Sequence, residues 1–321
     1  MKAVVLEKYG SPEFLKIKEV EKPVPGEDEV LIKVHAAALN DWDWQVICAK
    51  SLANRIMFGF FKPRINILGC DIAGHIEAVG PKVRKFRPGN EVYGDLCECG
   101  FGGFAEYVTA KENALAFKPA GMTFVQAAAI PQASMLAVQG LIDGLKIKPG
   151  QKLLINGAGG GVGTFGVQIA KLFNLEVTGV DCAEKLEMMR SMGFDQVIDY
   201  AKEDFTKNKK KYDLILDNKT SRSLFDYSRS LAKDGKYVTT GGNNGRLLQV
   251  VFFGWIVGRI KKKKFQLVIL KPNKDLAYIN ELFETGRIKP VIDTEYPLED
   301  LANAFHYFGA GHHKGKVVVR V

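Results

Sequence analysis

A glycine cluster at residues 157–163 has the residue types that phosphate binding requires. The run Gly157-Ala158-Gly159-Gly160-Gly161-Val162-Gly163 follows a short apolar stretch and precedes apolar residues at helical spacing. A missing side chain lets the backbone approach a pyrophosphate, and the N-terminus of the following helix presents free N–H groups and a partial positive charge. The pattern Ala158-x-Gly160-x-x-Gly163 therefore predicts a dinucleotide-binding turn with alanine in its first position.

Asp181 ends the second strand of the same predicted unit. Residues 153–155 predict a first strand, residues 162–173 a helix, and residues 177–180 a second strand, which together have the size of one βαβ unit. A carboxylate at this strand end accepts hydrogen bonds from the ribose hydroxyls of a dinucleotide. The alternative is a glycine-rich loop that binds nothing, and the strand, turn, helix and strand context disfavours it.

Short apolar runs and helical patterns continue to alternate after Asp181. Predicted strands cover 196–199, 214–217, 236–240 and 265–270, and predicted helices cover 183–192 and 221–231. Six short buried strands with intervening helices indicate an α/β fold with a Rossmann doubly wound parallel sheet. Tyr200, Asn218, Gly241 and Gly242 directly follow three of these strands, and we include them among the candidate dinucleotide-binding residues.

The first third of the chain has the short strands and frequent turns of a small β-barrel. Residues 49–65 are predicted to be irregular and apolar, and their aromatic side chains either line a pocket for an apolar substrate or form a small packed core. The C-terminal tail returns to strand patterns at residues 290–292 and 316–321, which we expect to complete the first domain. The predicted domains are therefore 1–118 with 271–321, and 119–270.

The composition indicates an ordinary globular protein. Of the 321 residues, 46% are hydrophobic and 25% are charged, and the length suggests two domains. We expect neither a membrane span nor a signal peptide, because the apolar runs are short and charge appears within a few residues of Met1. The five cysteines fit no disulfide framework, so we expect a reducing cytoplasm.

The net charge of +9 arises largely from two lysine runs, at 207–211 and 261–264. These runs lack interleaved aromatic residues and any nucleic-acid motif, so a solvated basic surface is favoured and no nucleic-acid partner is expected. The histidines have no partners at metal-binding spacing, and we interpret them as structural or solvated.

Six segments together resemble the medium-chain dehydrogenase/reductase superfamily, in its zinc-independent quinone oxidoreductase-like branch. They are MKAVVLEKYGSPEFL, EVLIKVHAAALNDWDW, LGCDIAGHIEAVG, GGFAEYV, NGAGGGVG and KPVIDTEYPLEDLANAFHYF with the later GKVVV. The resemblance spans essentially the whole chain. It implies a GroES-like β-rich domain that holds the substrate and a Rossmann domain that holds NADPH or NADH.

The resemblance also implies where a catalytic zinc would bind in related alcohol dehydrogenases. The first ligand region here is Asn40-Asp41, the position of the histidine ligand is Cys70, and the third region around Gln132 has no ligand. One thiol cannot replace the three protein ligands of a catalytic zinc site. We therefore predict no metal, and a reaction on an electron-poor acceptor such as a quinone or enone.

Asn40 and Asp43 are the candidate catalytic residues. They lie where the branch often has Asn-Pro-x-Asp-Trp-Lys, but Asp41 replaces the proline and Gln45 replaces the lysine, so a cationic donor is missing. Asn40 would donate its amide to the substrate carbonyl or the nicotinamide ribose, and Asp43 would hold the loop or a water. In the alternative, both residues only cap a turn.

The candidate dinucleotide-binding residues favour neither cofactor strongly. Asp181 would repel the 2′-phosphate of NADP, whereas Lys185 would attract it, and the resembled branch mostly uses NADPH and has a tyrosine where this chain has Tyr200. We predict binding of either dinucleotide, with NADPH slightly preferred. The full candidate set is Gly157, Ala158, Gly160, Gly161, Val162, Asp181, Lys185, Tyr200, Asn218, Gly241 and Gly242.

Two further alternatives concern the whole protein. It could bind the cofactor without turnover, as a structural or regulatory module. Residues 247–264, an apolar segment with a basic flank, could lie on a membrane surface, although a wall of the substrate cleft or a dimer surface is favoured. We also expect a homodimer, because the last strand of the parallel sheet leaves an open edge.

Overall fold

The computed structural model describes residues 1–50 and 52–321. These residues divide into two compact units, of which the first comprises Met1–Gln132, Pro272–Glu284 and Ile292–Val321. The second comprises Ala133–Lys271 and Thr285–Val291. Residue 51, within the segment predicted to be irregular, lies outside the described residues.

The unit boundary falls 14 residues after the predicted one at residue 118. The intervening residues stay with the first unit because the ring of Phe124 stacks on that of His35, with 4.5 Å between centroids. Conversely, residues 285–291 belong to the second unit. Lys289 donates its backbone N–H to Gln168 Oε1 at 2.8 Å, and the Gln168 amide donates to Lys289 O at 3.0 Å.

The first unit begins with a β-rich segment, as its short strand patterns predict. Its elements are β1 (Lys2–Leu6), β2 (Leu15–Glu19), β3 (Glu29–Ala38), α1 (Asp41–Cys48), α2 (Leu52–Phe58), β4 (Asp71–Val79), β5 (Glu91–Asp95), β6 (Tyr107–Lys111), β7 (Ala116–Phe117) and α3 (Phe124–Ala128).

A six-stranded sheet organises the second unit. Its elements are α4 (Pro131–Val138, which starts before the unit boundary), a π-helix (Gln139–Leu145), β8 (Lys152–Asn156), α5 (Gly161–Leu172), β9 (Glu176–Asp181), α6 (Leu186–Ser191), β10 (Gln196–Asp199), β11 (Tyr212–Asp217), α7 (Leu224–Ser230), β12 (Leu231–Thr239), α8 (Asn244–Lys261) and β13 (Lys264–Leu267). The strand order is β10-β9-β8-β11-β12-β13, and all the pairs are parallel. This order confirms the predicted Rossmann sheet.

The C-terminal tail returns to the first unit, also as predicted. It supplies α9 (Leu276–Glu284), β14 (Ile292–Pro297), α10 (Leu301–Ala310) and β15 (Lys316–Arg320). Strand β15 pairs antiparallel with β3 and completes a seven-stranded sheet of order β14-β15-β3-β4-β5-β7, in which β6 also pairs with β3. Inward-facing side chains such as Ile32, Ile72, Phe104 and Phe305 fill its core.

Three helices were not predicted from the sequence. Helix α1 occupies the polar and aromatic cluster after β3, and α2 lies within the segment predicted to be irregular. Helix α8 is 18 residues long and begins directly after its N-cap residue Asn243, whose side chain accepts the Arg246 N–H at 3.1 Å. In the part of the chain that the structure describes, no helix has both the length and the apolar character that a bilayer crossing requires.

Candidate functional site

The glycine turn joins the end of β8 to the start of α5, as its spacing predicts. Gly157 has a φ of +77°, a left-handed conformation that favours glycine. A Cβ on Gly163 would lie 2.4 Å from Ala158 O, so a side chain there would separate the helix from the turn. A Cβ on Gly160 would lie 3.7 Å from its nearest neighbour, Gly157 O, which is ordinary contact.

The N-terminus of α5 provides donors for an anion. The first helical hydrogen bond is donated by Thr164 N–H to Gly160 O at 3.0 Å. The N–H groups of Gly161, Val162 and Gly163 precede it, and first-turn N–H groups have no acceptor within their helix. Together with the helix dipole, they form the kind of site that binds a pyrophosphate. These residues therefore fit a dinucleotide.

Asp181 and Lys185 contact each other, although the sequence analysis assigned them competing roles. Lys185 Nζ lies 3.5 Å from Asp181 Oδ1, and the two residues are only 2% and 5% exposed. Asp181 Oδ2 also accepts the Gly159 N–H at 2.8 Å, and Oδ1 accepts the Cys182 N–H at 2.9 Å. The Lys185 stem packs so closely on Gly159 that a Cβ there would lie 2.6 Å from Lys185 Cδ. The pair thus anchors the glycine turn.

The other candidate dinucleotide-binding residues follow the carboxyl ends of the strands. Tyr200, after β10, is 55% exposed, and its N–H donates to Asp181 O at 3.1 Å. Asn218, after β11, accepts the Thr240 hydroxyl at 2.8 Å. Gly241 O accepts the Thr220 hydroxyl at 2.6 Å. Gly242 has a φ of +120°, and a Cβ there would clash with Lys219 O.

A buried carboxylate that the sequence analysis missed ties these strand ends together. Asp217 at the end of β11 is fully buried. Its oxygens accept hydrogen bonds from Asn156 Nδ2 at 2.8 Å, from the Thr220 N–H at 2.9 Å and from the Tyr237 hydroxyl at 2.9 Å. Burial and the Asp217 charge raise the pKa of Tyr237, so this phenol stays protonated and donating. The sequence did contain a signal for Asp217, because a polar residue ends each of the buried strands.

Asn40 and Asp43, the candidate catalytic residues, lie at the N-terminus of α1. Asn40 is the N-cap, and its backbone N–H donates to Asp43 Oδ2 at 3.0 Å. Asp43 Oδ1 accepts the Gly69 N–H at 2.9 Å, which ties α1 to the chain just before β4. Both side chains are buried, at 5% and 0% exposed. This geometry matches the alternative in which the two residues cap a turn.

Lys316 brings a cation to Asn40 from the far end of the sequence. Its Nζ donates to Asn40 Oδ1 at 2.5 Å and to Leu39 O at 3.0 Å, and it lies 3.5 Å from Asp71 Oδ2. Lys316 is 4% exposed and Asp71 is fully buried. The resemblance pointed to a missing cation at Gln45, and the sequence analysis did not consider that β15 could supply one.

Asp71 belongs to a wider buried cluster. It accepts the Gln132 N–H at 3.1 Å, and the Gln132 amide lies 3.5 Å from Asp95 Oδ2. Burial raises the pKa of Asp71 to about 7, although Lys316 lowers it, and Asp95 raises it further. Burial likewise raises the pKa of Asp43 to about 7, although the hydrogen bonds that it accepts from the Gly69 and Asn40 N–H groups lower this pKa. These carboxyls can therefore hold protons near neutral pH.

The residues at the zinc-ligand positions do not fit a catalytic zinc. Cys70 is fully buried, and burial with neighbouring carboxylates raises the pKa of its thiol, which opposes the thiolate form that zinc needs. Asn40 Oδ1 and Asp71 face the Lys316 ammonium instead of converging on a shared metal position. Among the described residues of either unit taken alone, no three His, Cys, Asp or Glu ligand atoms lie close enough together to hold a metal ion.

Residues 49–65, predicted either to line an apolar pocket or to form a small packed core, have both buried and exposed aromatic side chains. Phe58, at the end of α2, is buried and packs on Trp42 with 5.8 Å between ring centroids. Phe60 and Phe61, which follow it, are 52% and 87% exposed. Part of this segment is therefore packed core, and part is an exposed aromatic surface.

Two family models match the sequence. An alcohol dehydrogenase GroES-like domain matches residues 26–120, and a zinc-binding dehydrogenase domain matches residues 192–319. The first match covers most of the N-terminal β-rich part of the first unit.

Full-length relatives and a solved structure are also similar. The chain is 34% identical to the 2-methylene-furan-3-one reductase of Solanum lycopersicum, over 99% of this chain and 79% of the relative. It is 33% identical, with the same coverage, to the chloroplastic NADPH-dependent alkenal/one oxidoreductase of Arabidopsis thaliana. The quinone oxidoreductase structure from Coxiella burnetii superposes with a TM-score of 0.86, at 25% identity over 100% of this chain and 99% of that one.

Proposed function

Because this chain belongs to the medium-chain dehydrogenase/reductase superfamily, in its quinone oxidoreductase-like branch, we propose that it reduces small apolar quinones or enones with NADPH. The chain is an NAD(P)H-dependent oxidoreductase that acts by hydride transfer. The single observation that carries its cofactor use is the glycine turn, where first-turn N–H groups of α5 follow a parallel strand end.

Two observations support the proposed substrate class: the names of the relatives, and the residues that this chain has at the positions of the zinc ligands. The Arabidopsis relative is named for alkenals and alkenones, and the Coxiella structure is titled a quinone oxidoreductase. Zinc would polarise an alcohol or carbonyl oxygen, but Asn40 at the first zinc position accepts a hydrogen bond from the Lys316 ammonium, and the buried Cys70 thiol has a raised pKa. An acceptor that is already electron-poor needs less polarisation. We therefore propose a zinc-independent reaction.

The chain's own residues contribute positioning. A bound NAD(P)H supplies the hydride. The α5 N-terminus orients the pyrophosphate, and the Asp181–Lys185 pair keeps the turn in place. We propose that Asn40 and Asp43 act mainly by fixing the start of α1, since both side chains are buried and hydrogen-bonded. Asp71 can hold a proton near neutral pH.

Turnover with defined acceptors tests the proposal. The purified chain is mixed with NADPH and either but-3-en-2-one or benzoquinone, and the loss of NADPH absorbance is followed. We expect saturable NADPH oxidation with both acceptors or with one. Tight NADPH binding without turnover across quinones, enones and aldehydes would contradict an enzymatic role and indicate a cofactor-binding structural or regulatory protein.

We propose that NADPH is slightly preferred over NADH. Lys185 and two backbone N–H groups offset the Asp181 charge, so its repulsion of a 2′-phosphate is weakened. Asp181→Ser would remove the carboxylate that faces Lys185 and accepts the Gly159 and Cys182 N–H groups, so the turn loses its anchor and titration should show weaker binding of both dinucleotides. A gain for NADPH with a loss for NADH would instead mean that Asp181 faces the ribose.

We further propose a homodimer and a reducing compartment. Strand β13 is the last in the sheet order and pairs only with β12 among the described residues, which supports pairing across a two-fold axis. A monomeric mass in light scattering at micromolar concentration would contradict this. The five free thiols suit the cytoplasm, and equally a reducing organelle such as the chloroplast of the Arabidopsis relative.

A further inference from the structure

Helix α8 has an apolar face exposed to solvent. Leu248, Val251, Phe252 and Trp255 follow the i, i+3, i+4, i+7 spacing of one helical face, and each is more than half exposed. Phe253, Ile256 and Ile260 widen this face and are 45–71% exposed. We call these seven residues the α8 face.

The opposite side of α8 is already used by the fold. Val250, Gly254 and Val257 are buried, and Gly254 sits so close to β13 that a Cβ there would lie 3.1 Å from Phe265 Cβ. The helix is thus apolar on both sides, and only one side is covered within the unit. Apolar helices of this kind are normally buried all round, so the α8 face needs a partner.

The stretch of chain that contains α8 carries side-chain charge of one sign. Residues 235–274 contain nine Lys or Arg side chains, at 236, 246, 259, 261–264, 271 and 274, and no Asp or Glu. Arg259 lies within the helix with its guanidinium 5.7 Å from the Trp255 ring centroid. Lys261, Lys262 and Lys264 follow at its exposed C-terminal end. The apolar face therefore runs directly into a cationic cluster.

The second lysine run joins this cluster in space. Lys211, from the 207–211 run, lines one surface hollow together with Arg229, Lys261 and Lys263. Burial lowers the pKa of Lys263, and the nearby charges of Lys211 and Lys261 lower it further. The fold thus brings together the two basic runs that appeared unrelated in the sequence.

We propose that the α8 face, with its lysine cluster, docks on the surface of an anionic lipid bilayer. Exposed Leu, Val, Phe and Trp side chains can enter the boundary between headgroups and acyl chains, while cations at the helix end meet acidic headgroups. The protein is then a peripheral membrane protein. This goes beyond the proposed function and does not depend on it.

A second copy of the chain matches the same surface less well. An isologous contact over the α8 face, distinct from the edge pairing proposed for β13, would place this face and its lysine cluster against a second copy of the same cluster. Residues 235–274 carry no acidic side chain, and Asp234, whose backbone N–H donates to Lys262 O at 3.2 Å, sets one carboxylate against the four lysines at 261–264. An acidic lipid surface meets both the apolar and the cationic requirement.

Vesicle co-sedimentation tests this docking. The full chain is mixed with vesicles of phosphatidylcholine containing about one third phosphatidylserine, or with phosphatidylcholine alone. Several basic residues near an anionic surface add their attractions, so we expect at least tenfold stronger partitioning to the acidic vesicles, weakened by salt. Trp255 fluorescence should shift to shorter wavelength on binding, and Trp255→Phe should remove most of that shift.

Two variants and one control locate the surface. Phe252→Ser with Trp255→Ser should reduce partitioning at least tenfold, and Lys261→Gln with Lys264→Gln should remove the preference for acidic vesicles. Ile17→Ser with Val24→Ser changes exposed apolar residues elsewhere, at 44% and 86% exposed, and should leave partitioning unchanged. The lysine variant keeps the test valid if the aromatic variant folds poorly.

Three results would overturn the proposal. The first is no wild-type binding to either vesicle. The second is binding that both variants leave unchanged. The third is a wild-type protein that is dimeric, does not bind vesicles and becomes monomeric when Phe252 and Trp255 are replaced. That result would assign the α8 face to contact with a second copy of the chain.

Discussion

At the residue scale, buried charges do most to shape the two candidate sites. Lys316 and Asp71 face each other in the first unit, and Lys185 and Asp181 do so in the second. Taking such ions out of water costs free energy that only good geometry and further hydrogen bonds recover. Each of these pairs also bonds to the backbone or to an amide of a turn or helix end, so each fixes a local conformation near the candidate residues of its own unit.

Replacing Lys316 tests the contribution of the first pair. Lys316→Met leaves Asp71 and the Asn40 amide oxygen without their cation, and breaking a buried pair costs roughly 3–5 kcal/mol of unfolding free energy. Denaturant unfolding measures this loss. Arg320→Met on the same strand is the matched control, because its pair with Glu295 is exposed and contributes about 1 kcal/mol or less. Equal, small losses in both variants would contradict a structural role for Lys316.

The Asp43 carboxyl predicts a pH dependence of stability. Its pKa is raised from 3.8 to about 7 in the folded chain, because it is fully buried and lies near Asp71. Between these values the folded state binds more protons than the unfolded state, so the contribution is greatest in acid and is lost as pH rises through about 7. Asp71 acts in the same direction. His35 acts in the opposite direction, because burial and His75 lower its pKa.

Asp43→Asn isolates this contribution. The variant cannot titrate, so its unfolding free energy should fall less between about pH 4 and pH 7 than that of the wild type. Asp41→Asn, at an exposed neighbouring position, should keep the wild-type slope. Parallel curves for the wild type and Asp43→Asn, measured by denaturant unfolding across this range, would show that Asp43 does not carry the shift.

The sequence identified both members of the Asp181–Lys185 pair but neither member of the Lys316–Asp71 pair. Asn40 and Asp43 were selected because they match a motif of the resembled branch, Asp181 because it ends a predicted strand, and Lys185 because it follows shortly after; all of these are local signals. Lys316 lies 276 residues from Asn40, and a lysine at the start of a strand gives no local sign of burial. Asp181 and Lys185 were assigned opposite effects on a 2′-phosphate, and the structure shows that the two side chains contact each other.

At the element scale, the junction of β8 and α5 assigns different roles to two glycines of one motif. Gly163 lets the helix approach Ala158, whereas Gly160 has room for a Cβ but lies where a pyrophosphate would approach the backbone. Structure and ligand binding can therefore be separated by two single substitutions in the same turn.

Gly163→Ala should lower stability, whereas Gly160→Ala should lower NADPH affinity and leave stability unchanged. Gly163→Ala forces a clash at 2.4 Å and should cost about 1–3 kcal/mol of stability. Gly160→Ala should fold normally but lose at least about tenfold in NADPH affinity, because its methyl group blocks the approach of the pyrophosphate. Unfolding and cofactor titration measure the two effects. Normal NADPH affinity in folded Gly160→Ala would place the pyrophosphate elsewhere.

Element prediction succeeded where periodicity was strong. The parallel strands and α5 are short, uniformly buried or regularly spaced, so their patterns were clear. Helix α8 was missed because apolar residues cover both its buried and its exposed sides, which leaves no helical stripe. Helix α1 was missed because its first turn is polar and aromatic, and only the Asn40–Asp43 capping interaction marks its start.

At the scale of the whole molecule, each unit is built from separated parts of the chain. The C-terminal strand β15 lies beside β3, so the first unit cannot be complete until the chain end is available. The strand patterns at 290–292 and 316–321 predicted this return, and the terminal GKVVV segment of the resemblance agrees with it. Substrate identity was beyond reach, since the exposed aromatic segment after α2 has no sequence pattern that specifies a ligand.

The central claim is that this chain transfers a hydride from NADPH to an electron-poor acceptor without a metal. The most direct measurement uses chelator-treated protein of verified metal content, NADPH carrying deuterium at its transferable C4 position, and but-3-en-2-one. We predict one deuterium on the β-carbon of the saturated ketone, with no bound zinc and with activity intact. Absence of deuterium at that carbon, or activity that disappears with a stoichiometric zinc ion, would contradict the account.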